Sequence, residues 1–250
     1  MSQYEEIFNQ RGHLYNRACQ RYPQARETER KLLLDLLDLQ PGLVVCDAPA
    51  GGGYLADGIM PPTGEHLRIV CVEPSPIFAK GIPPRFERVV ASLHSLTLAT
   101  HSVDRVGSLA GLHHLEPKTD FFKEAYRILK SGGRFSVEDV LDGSAPALFL
   151  NDTVDRLSDT GHQGVFLQRG ELTSFLKTSG FVSVQEDYHQ FTWDFSDMPA
   201  MAEYFKDLFG LTKGSLEHVR DEVRHALSVT VSAEGAHACW SLLYASGIKP

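Results

Sequence analysis

Side chains able to move a proton near neutral pH are few in this chain, and the most suggestive fall in three short stretches. His113 and His114 follow one apolar run, Glu138 and Asp139 close another, and His162 sits in the polar loop Asp159-Thr160-Gly161-His162-Gln163-Gly164. Imidazoles and perturbed carboxylates are the common general bases, and such a base serves a hydroxyl or an acidic carbon that must lose its proton as it attacks. The candidate catalytic residues are therefore His114, His113 and Asp139. His162, with Tyr15 and Arg26 from the aromatic N-terminal stretch, is a candidate substrate contact. On an extended chain successive side chains face opposite ways, so one member of each adjacent pair is expected to point inward. The same alternation argues against His113 and His114 sharing one ion. Imidazole and carboxylate are ordinary metal ligands, yet no metal site is expected. Each residue also has a plainer reading: a strand-end carboxylate can accept hydrogen bonds from a helix start, and His162 can be a turn residue.

A second constellation runs from Leu43 to Tyr54, Leu-Val-Val-Cys-Asp-Ala-Pro-Ala-Gly-Gly-Gly-Tyr. Its apolar run, bounded by Pro41-Gly42 and by three glycines, suits a strand buried on both faces of a parallel sheet. Glycine permits backbone angles closed to other residues and lets a ligand lie against the main chain. Strand, glycine turn and helix start form the floor of a nucleotide-like cofactor site at the carboxyl edge of an open α/β sheet. Gly51-x-Gly53-x-x-Ala56, with Glu73 about 20 residues on, also fits the dinucleotide fingerprint. The carboxylate of Asp47 at the strand end decides between them. It would repel a pyrophosphate and would hold an ammonium group, such as the methionine end of S-adenosylmethionine. Glu73, closing the next strand, can accept both hydroxyls of a ribose.

The elements that must position these groups read as an α/β chain. Gln24 onward packs Leu32, Leu33, Leu36 and Leu37 on one helical face, whereas residues 1 to 23 show no strong period. Strands are expected over Leu67–Val72, Phe86–Ala91, Arg134–Val140, Phe181–Phe195 and Ala238–Ala245. Helices are expected over Pro117–Lys130, Glu171–Ser179, Met198–Phe209 and Leu216–Leu227, with a short one near Phe149–Asp152 and another stopped by Pro61-Pro62. The aromatic set Phe191, Trp193 and Phe195 reads as core rather than as a substrate box.

Within this frame Leu96-Thr97-Leu98-Ala99-Thr100-His101-Ser102-Val103-Asp104-Arg105-Val106 resembles the "LPF…SFDVV" passage of class I S-adenosylmethionine-dependent methyltransferases. Leu112-His113-His114-Leu115 is similar to many members of the small-molecule, methyltransferase type 11 or UbiE-like branch, and Leu129-Lys130-Ser131-Gly132-Gly133 is close to its "LKPGG". The similarity covers residues 26 to 142, with the motifs in the family's order. It implies a Rossmann-like, doubly wound, mostly parallel seven-stranded sheet with the last strand antiparallel and helical lid elements. It implies cofactor contacts at Asp47, Ala48, Pro49, Gly51 and Gly53, at Glu73 and Pro74, at Ser92 and Leu93 beside adenine, and at Ala110 and Gly111 near the methionine end. It also offers a plain role for the paired histidines, as cleft wall. Pro49 stands where the family's first glycine is usual, and Ser92 where an aspartate is usual. The expected activity is methyl transfer from S-adenosylmethionine, leaving S-adenosylhomocysteine, to O, N or C of a small organic acceptor. The two departures keep open a protein that binds the cofactor without transferring anything, and the glycine fingerprint keeps open a nicotinamide oxidoreductase.

Composition bounds the rest. The 250 residues carry a net charge of -8, with 42% hydrophobic and 22% charged residues. That balance disfavours general binding to nucleic acid backbone. Cys19, Cys46, Cys71 and Cys239 are scattered without a metal-like pair, which fits a reducing cytoplasm. The charged first 20 residues do not read as a signal peptide, and no apolar run reaches a membrane span. One domain is expected over 1–250: a helical arm at 1–40, a cofactor-binding core at 41–142, and lid or substrate elements at 143–170 and 196–232.

Overall fold

The computed structural model describes residues 3–59 and 67–250. The helix stop expected at Pro61-Pro62 lies outside the described residues. The chain opens with α1 (Gln3–Arg21) and α2 (Glu27–Leu37). The first of these overturns the aperiodic reading of the N-terminus. Tyr4, Ile7, Phe8, Arg11, Gly12 and Ala18 are its buried positions, at spacings of three, four and seven. A guanidinium and a glycine inside that stripe hide its period from any count of apolar residues.

The sheet then builds through β1 (Val44–Asp47), α3 (Tyr54–Asp57), β2 (Arg68–Val72), a 3-10 turn (Phe78–Gly81), β3 (Glu87–Val89) and β4 (Val103–Leu109). A second 3-10 turn (Leu112–His114), α4 (Lys118–Ile128) and β5 (Leu129–Asp139) follow. β5 starts where the helix was expected to end: Leu129 pairs with Val103, and Gly132 at φ 77 lets the extended chain bend through Ser131-Gly132-Gly133. The segment after β5 is more helical than expected, running as α5 (Ala145–Leu148), a π-helical stretch (Phe149–Val154) and α6 (Asp155–Leu157). The loop around His162 leads into α7 (Glu171–Thr178), β6 (Val182–Phe195), α8 (Met198–Phe209), α9 (Leu216–Ala226), β7 (Val229–Ser232) and β8 (Gly235–Ile248). Asp197 caps α8 by accepting from the Ala200 N–H at 2.8 Å, and Gly210 ends it at φ 62.

Strand order is β3-β2-β1-β4-β5-β8-β6, with β7 paired to β8. β1 to β5 run parallel, and β8 lies antiparallel between β5 and β6. Among the described residues the sheet has eight strands where seven were expected. The added one, β7, is short and three-quarters exposed, so no apolar alternation announces it. The order in which strands are added reverses between β1 and β4, which opens a crevice outside their carboxyl ends. Asp47 closes β1 on that crevice, and Ala110 and Gly111 follow β4.

One face of the sheet packs under α4 and α7 through Phe121, Phe122, Phe135, Leu176 and Phe181. The other carries an aromatic cluster around Trp193 and Trp240, stacked at 4.1 Å, with Phe149, Phe205 and Phe209. Phe135 is fully buried, 5.3 Å from Phe122 and 5.7 Å from Phe121 by ring centroids. Its ring bridges β5 to α4, so Phe135→Ala should cost about 3–5 kcal/mol of unfolding free energy in a denaturant titration. A loss under about 1 kcal/mol would mean this face is not the rigid core.

Candidate active site

The loop after β1 is held from both sides. The Ala48 N–H donates to the Gly107 carbonyl at 3.0 Å, and the Ala50 N–H to that of Val72 at 2.9 Å. Gly51 and Gly53 take φ of 54 and 87, angles an L side chain tolerates poorly. Pro49 leans on Gly111, where a Cβ would come within 2.5 Å of its ring, so close approach of the two loops needs glycine at 111.

Two acids close this floor. Asp47 is 1% exposed; its Oδ2 accepts from the Ala56 N–H at 3.2 Å, and its Oδ1 has no hydrogen-bond partner. Burial pushes its pKa up to about 8, against the pull of the Ala56 bond, and the nearby Glu73 charge adds to the rise. Glu73 is fully buried. Its Oε1 accepts from Ser75 N–H, and its Oε2 from Gly51 N–H and from the Tyr4 hydroxyl, each at 2.8 Å. Burial again dominates and lifts its pKa to about 7, with those three donors pulling the other way.

The Tyr4 contact shows what α1 does. The helix lies across the crevice, stacking Phe8 on Phe78 at 4.7 Å and donating from Asn16 Nδ2 to the Phe78 carbonyl at 3.0 Å. Between Tyr4, Phe8, Pro49, Gly51, Phe78 and Ala110 only about 30 Å³ remains open. Pro74 is buried beside Glu73. Ser92 is exposed, its Oγ accepting from the His94 N–H at 3.2 Å, while Leu93 is buried in the core. Neither lines the closed crevice.

Beyond Phe8, Tyr15 and Ala110, which border both spaces, lies a second cavity of about 50 Å³. His113, His114 and His162 face it together with Arg11, Arg26, Trp193 and Trp240. The expectation that adjacent histidines point apart is therefore corrected. They sit on the 3-10 turn rather than on extended chain, and their ring centroids are 4.3 Å apart. Alternation does hold for the neighbouring acids. Asp139 turns to the cavity side, where its Oδ1 meets His113 Nδ1 at 2.6 Å and its Oδ2 accepts the Leu112 and His113 N–H groups at 2.6 and 3.2 Å. Burial would raise its pKa, but His113 and the backbone donors outweigh it and hold Asp139 low, hence ionised. Glu138 faces the opposite way, toward Glu29 and Tyr244, and burial first and Glu29 second keep it protonated.

Tyr15 and Arg26 are brought together in the cavity wall. The Arg26 guanidinium donates to the Tyr15 hydroxyl and to Glu29, and lies 5.0 Å over the Trp193 ring. Trp193 is thus both core, as read from sequence, and cavity lining. Arg11, Glu29 and Trp240 were missed. Only the stripe of α1 could have pointed to Arg11, whose Nη1 donates to the Phe209 carbonyl at 2.8 Å while its Nε has no partner.

Comparisons with known proteins give a partial match to one family model and likenesses of fold. Residues 46–137 match the family described as Methyltransferase domain. A relative named erythromycin 3''-O-methyltransferase, from Saccharopolyspora erythraea, is 30% identical over 132 residues. That match takes in 49% of this chain and 43% of the relative, so the chain spans less than half of that protein's length. Among solved structures, a SAM-dependent methyltransferase from Thermotoga maritima is 17% identical with a TM-score of 0.65, covering 99% of this chain and 100% of that one. The [4+2]-cyclase SpnF is also 17% identical at TM-score 0.65, covering 100% and 97%. The antiparallel β8, inserted between β5 and β6, departs from the dinucleotide-binding strand order 3-2-1-4-5-6.

Asp47 offers a test that needs no ligand. Its folded pKa lies above the unfolded value, so the folded state holds the proton more tightly. Its contribution is favourable at acid pH and is lost as pH rises from about 4 toward about 8. Asp47→Asn has no such proton, so its melting temperature should exceed the parent's by a margin that widens over that range. A margin flat with pH would contradict the buried-acid assignment.

Proposed function

Because residues 46–137 are a methyltransferase domain on a class I S-adenosylmethionine-dependent methyltransferase fold, we propose that this chain transfers a methyl group from S-adenosylmethionine to a hydroxyl oxygen of a small organic acceptor. The observation that carries the choice of a hydroxyl is the His113–Asp139 pair, 2.6 Å apart on a cavity next to the crevice. An N-acceptor with a free lone pair needs no base, whereas a hydroxyl does.

The donor set fits the cofactor: a partnerless buried carboxylate oxygen on Asp47, a glycine turn, and an acid one strand over. Asp47 with the loop at Gly51 and Gly53 would hold the cationic amino-acid end, and Glu73 the ribose once Tyr4 leaves it. The bound cofactor supplies a methyl group already activated on a sulfonium. The chain's own task is positioning and proton removal. Donation of His113 Nδ1–H to ionised Asp139 fixes the tautomer that leaves a lone pair on Nε2. That nitrogen takes the acceptor's proton, and Asp139 stabilises the imidazolium formed. Trp193, Trp240 and Phe209 offer the apolar wall for the acceptor. The relative named for O-methylation of erythromycin is in keeping with an oxygen acceptor. Net charge of -8 fits a small acceptor rather than nucleic acid, and no helix among the described residues is long and apolar enough to cross a membrane. We place the protein in the cytoplasm. The segment 143–170 and the helices α8 and α9 are the acceptor-side elements of a single domain.

A second reading draws on the Tyr4–Glu73 bond and the 30 Å³ left in the crevice: a protein that binds cofactor and transfers nothing. One set of measurements separates the two. With a panel of hydroxylated acceptors, His113→Ala or Asp139→Asn should lower kcat by roughly 10²–10⁴ while cofactor affinity stays within about twofold. Glu73→Ala should weaken cofactor binding by about 1–3 kcal/mol, and Tyr4→Phe, which frees Glu73, should strengthen it severalfold. Cofactor binding without turnover across the panel would favour the second reading, and unchanged affinity in Glu73→Ala would remove the site.

A further inference from the structure

Three imidazoles converging on one small void call for an explanation that a single base does not supply. His113, His114 and His162 are 7%, 6% and 2% exposed, and one ligand nitrogen from each lies within 4.8 Å of the others. Two of them are oriented from behind. His113 gives its Nδ1–H to Asp139. His162 Nδ1 lies 2.9 Å from Asn151 Oδ1, and that amide is itself fixed, because its Oδ1 accepts the Gly164 N–H and its Nδ2 donates to the Gly164 carbonyl, both at 2.9 Å. Nδ1 of His162 must therefore be the donor, which leaves its Nε2 as a lone pair, as in His113. His114 has a buried Nδ1 with no hydrogen-bond partner. A carboxylate or amide holding the far nitrogen of an imidazole is the usual support of a metal-ligating histidine.

We propose that His113, His114 and His162 bind a divalent transition-metal ion that favours imidazole, such as Zn²⁺ or Co²⁺, leaving a fourth position open to the cavity. Tetrahedral ligation with Zn–N near 2.0–2.1 Å needs nitrogens roughly 3.3 Å apart. The set must therefore close by about 1.5 Å or less, a side-chain adjustment on a turn and a loop. The surrounding charges do not forbid a cation. Arg11 faces the cluster, but ionised Asp139 stands directly behind His113, and Lys118 is paired with Glu116. Arg11 beside the open position would favour an anionic fourth ligand. Gly164 fits the same geometry: a Cβ there would come within 2.8 Å of His162 Cε1.

The site stands apart from the methyl-transfer reading, because ligation takes the His113 Nε2 lone pair that a base would use. Ion-bound and base-competent protein are alternative states of one side chain. The test is binding. Metal-stripped full-length protein titrated with Co²⁺ should take up one equivalent with the visible d–d absorption of a low-symmetry site, and Zn²⁺ should displace it. His162→Ala should abolish saturable uptake. Asn151→Leu, which removes only the support, should weaken it roughly 10–100-fold with the circular dichroism spectrum unchanged. Absence of uptake, or equal uptake by the parent and His162→Ala, would overturn the site. Cofactor titrations on the same samples report separately on the methyltransferase reading.

Discussion

Two carboxyl groups buried at neighbouring strand ends, without a cation between them, are the constraint around which this structure is arranged. Asp47 and Glu73 close the parallel neighbours β1 and β2, and burial raises both above the ordinary carboxylate range. A charge held out of water is costly unless paired and hydrogen-bonded. Glu73 meets that cost with three donors, one of them Tyr4 from a helix 69 residues upstream. Asp47 keeps one oxygen with no partner at all. Such an orphan in a well-packed floor is the mark of a group that a ligand completes.

The helix α1 converts that local constraint into an architecture. It donates to Glu73 through Tyr4, stacks Phe8 on Phe78, and reaches α8 through Arg11 on the Phe209 carbonyl and Arg17 on Asp207 at 2.6–2.7 Å. One element thereby covers the crevice above Asp47 and Glu73 and walls the histidine-lined cavity. The two spaces share a wall formed by Phe8, Tyr15 and Ala110. The fold alone does not fix the chemistry done there, and a [4+2]-cyclase shares it. The histidines and Asp139 carry that part of the case.

The core strands and the glycine turn after β1 were legible because their signals are local: an apolar run, a strand-end acid, glycines at the positions that take positive φ. α8 was equally plain from its amphipathic spacing, with Ala200, Met201, Tyr204, Phe205, Leu208 and Phe209 on its buried face. What escaped needed distance or shape. α1 was hidden because Arg11 and Gly12 occupy its buried stripe, and β7 because a short exposed strand shows no alternation. The histidine pair was misread in orientation, since nothing in Leu112-His113-His114-Leu115 says that a 3-10 turn replaces extended chain. Asn151 as the support of His162, and Gly164 as the support of Asn151, are contacts across a loop that no spacing encodes.

The central claim is that the two raised acids receive a cationic, ribose-bearing cofactor. Proton linkage tests it most directly: calorimetric titration of the protein with S-adenosylmethionine near pH 7, repeated in buffers of different ionisation enthalpy. With Asp47 near 8 and Glu73 near 7 in the empty crevice, binding should ionise them and release protons. Absence of binding, or binding that releases none, would contradict the account.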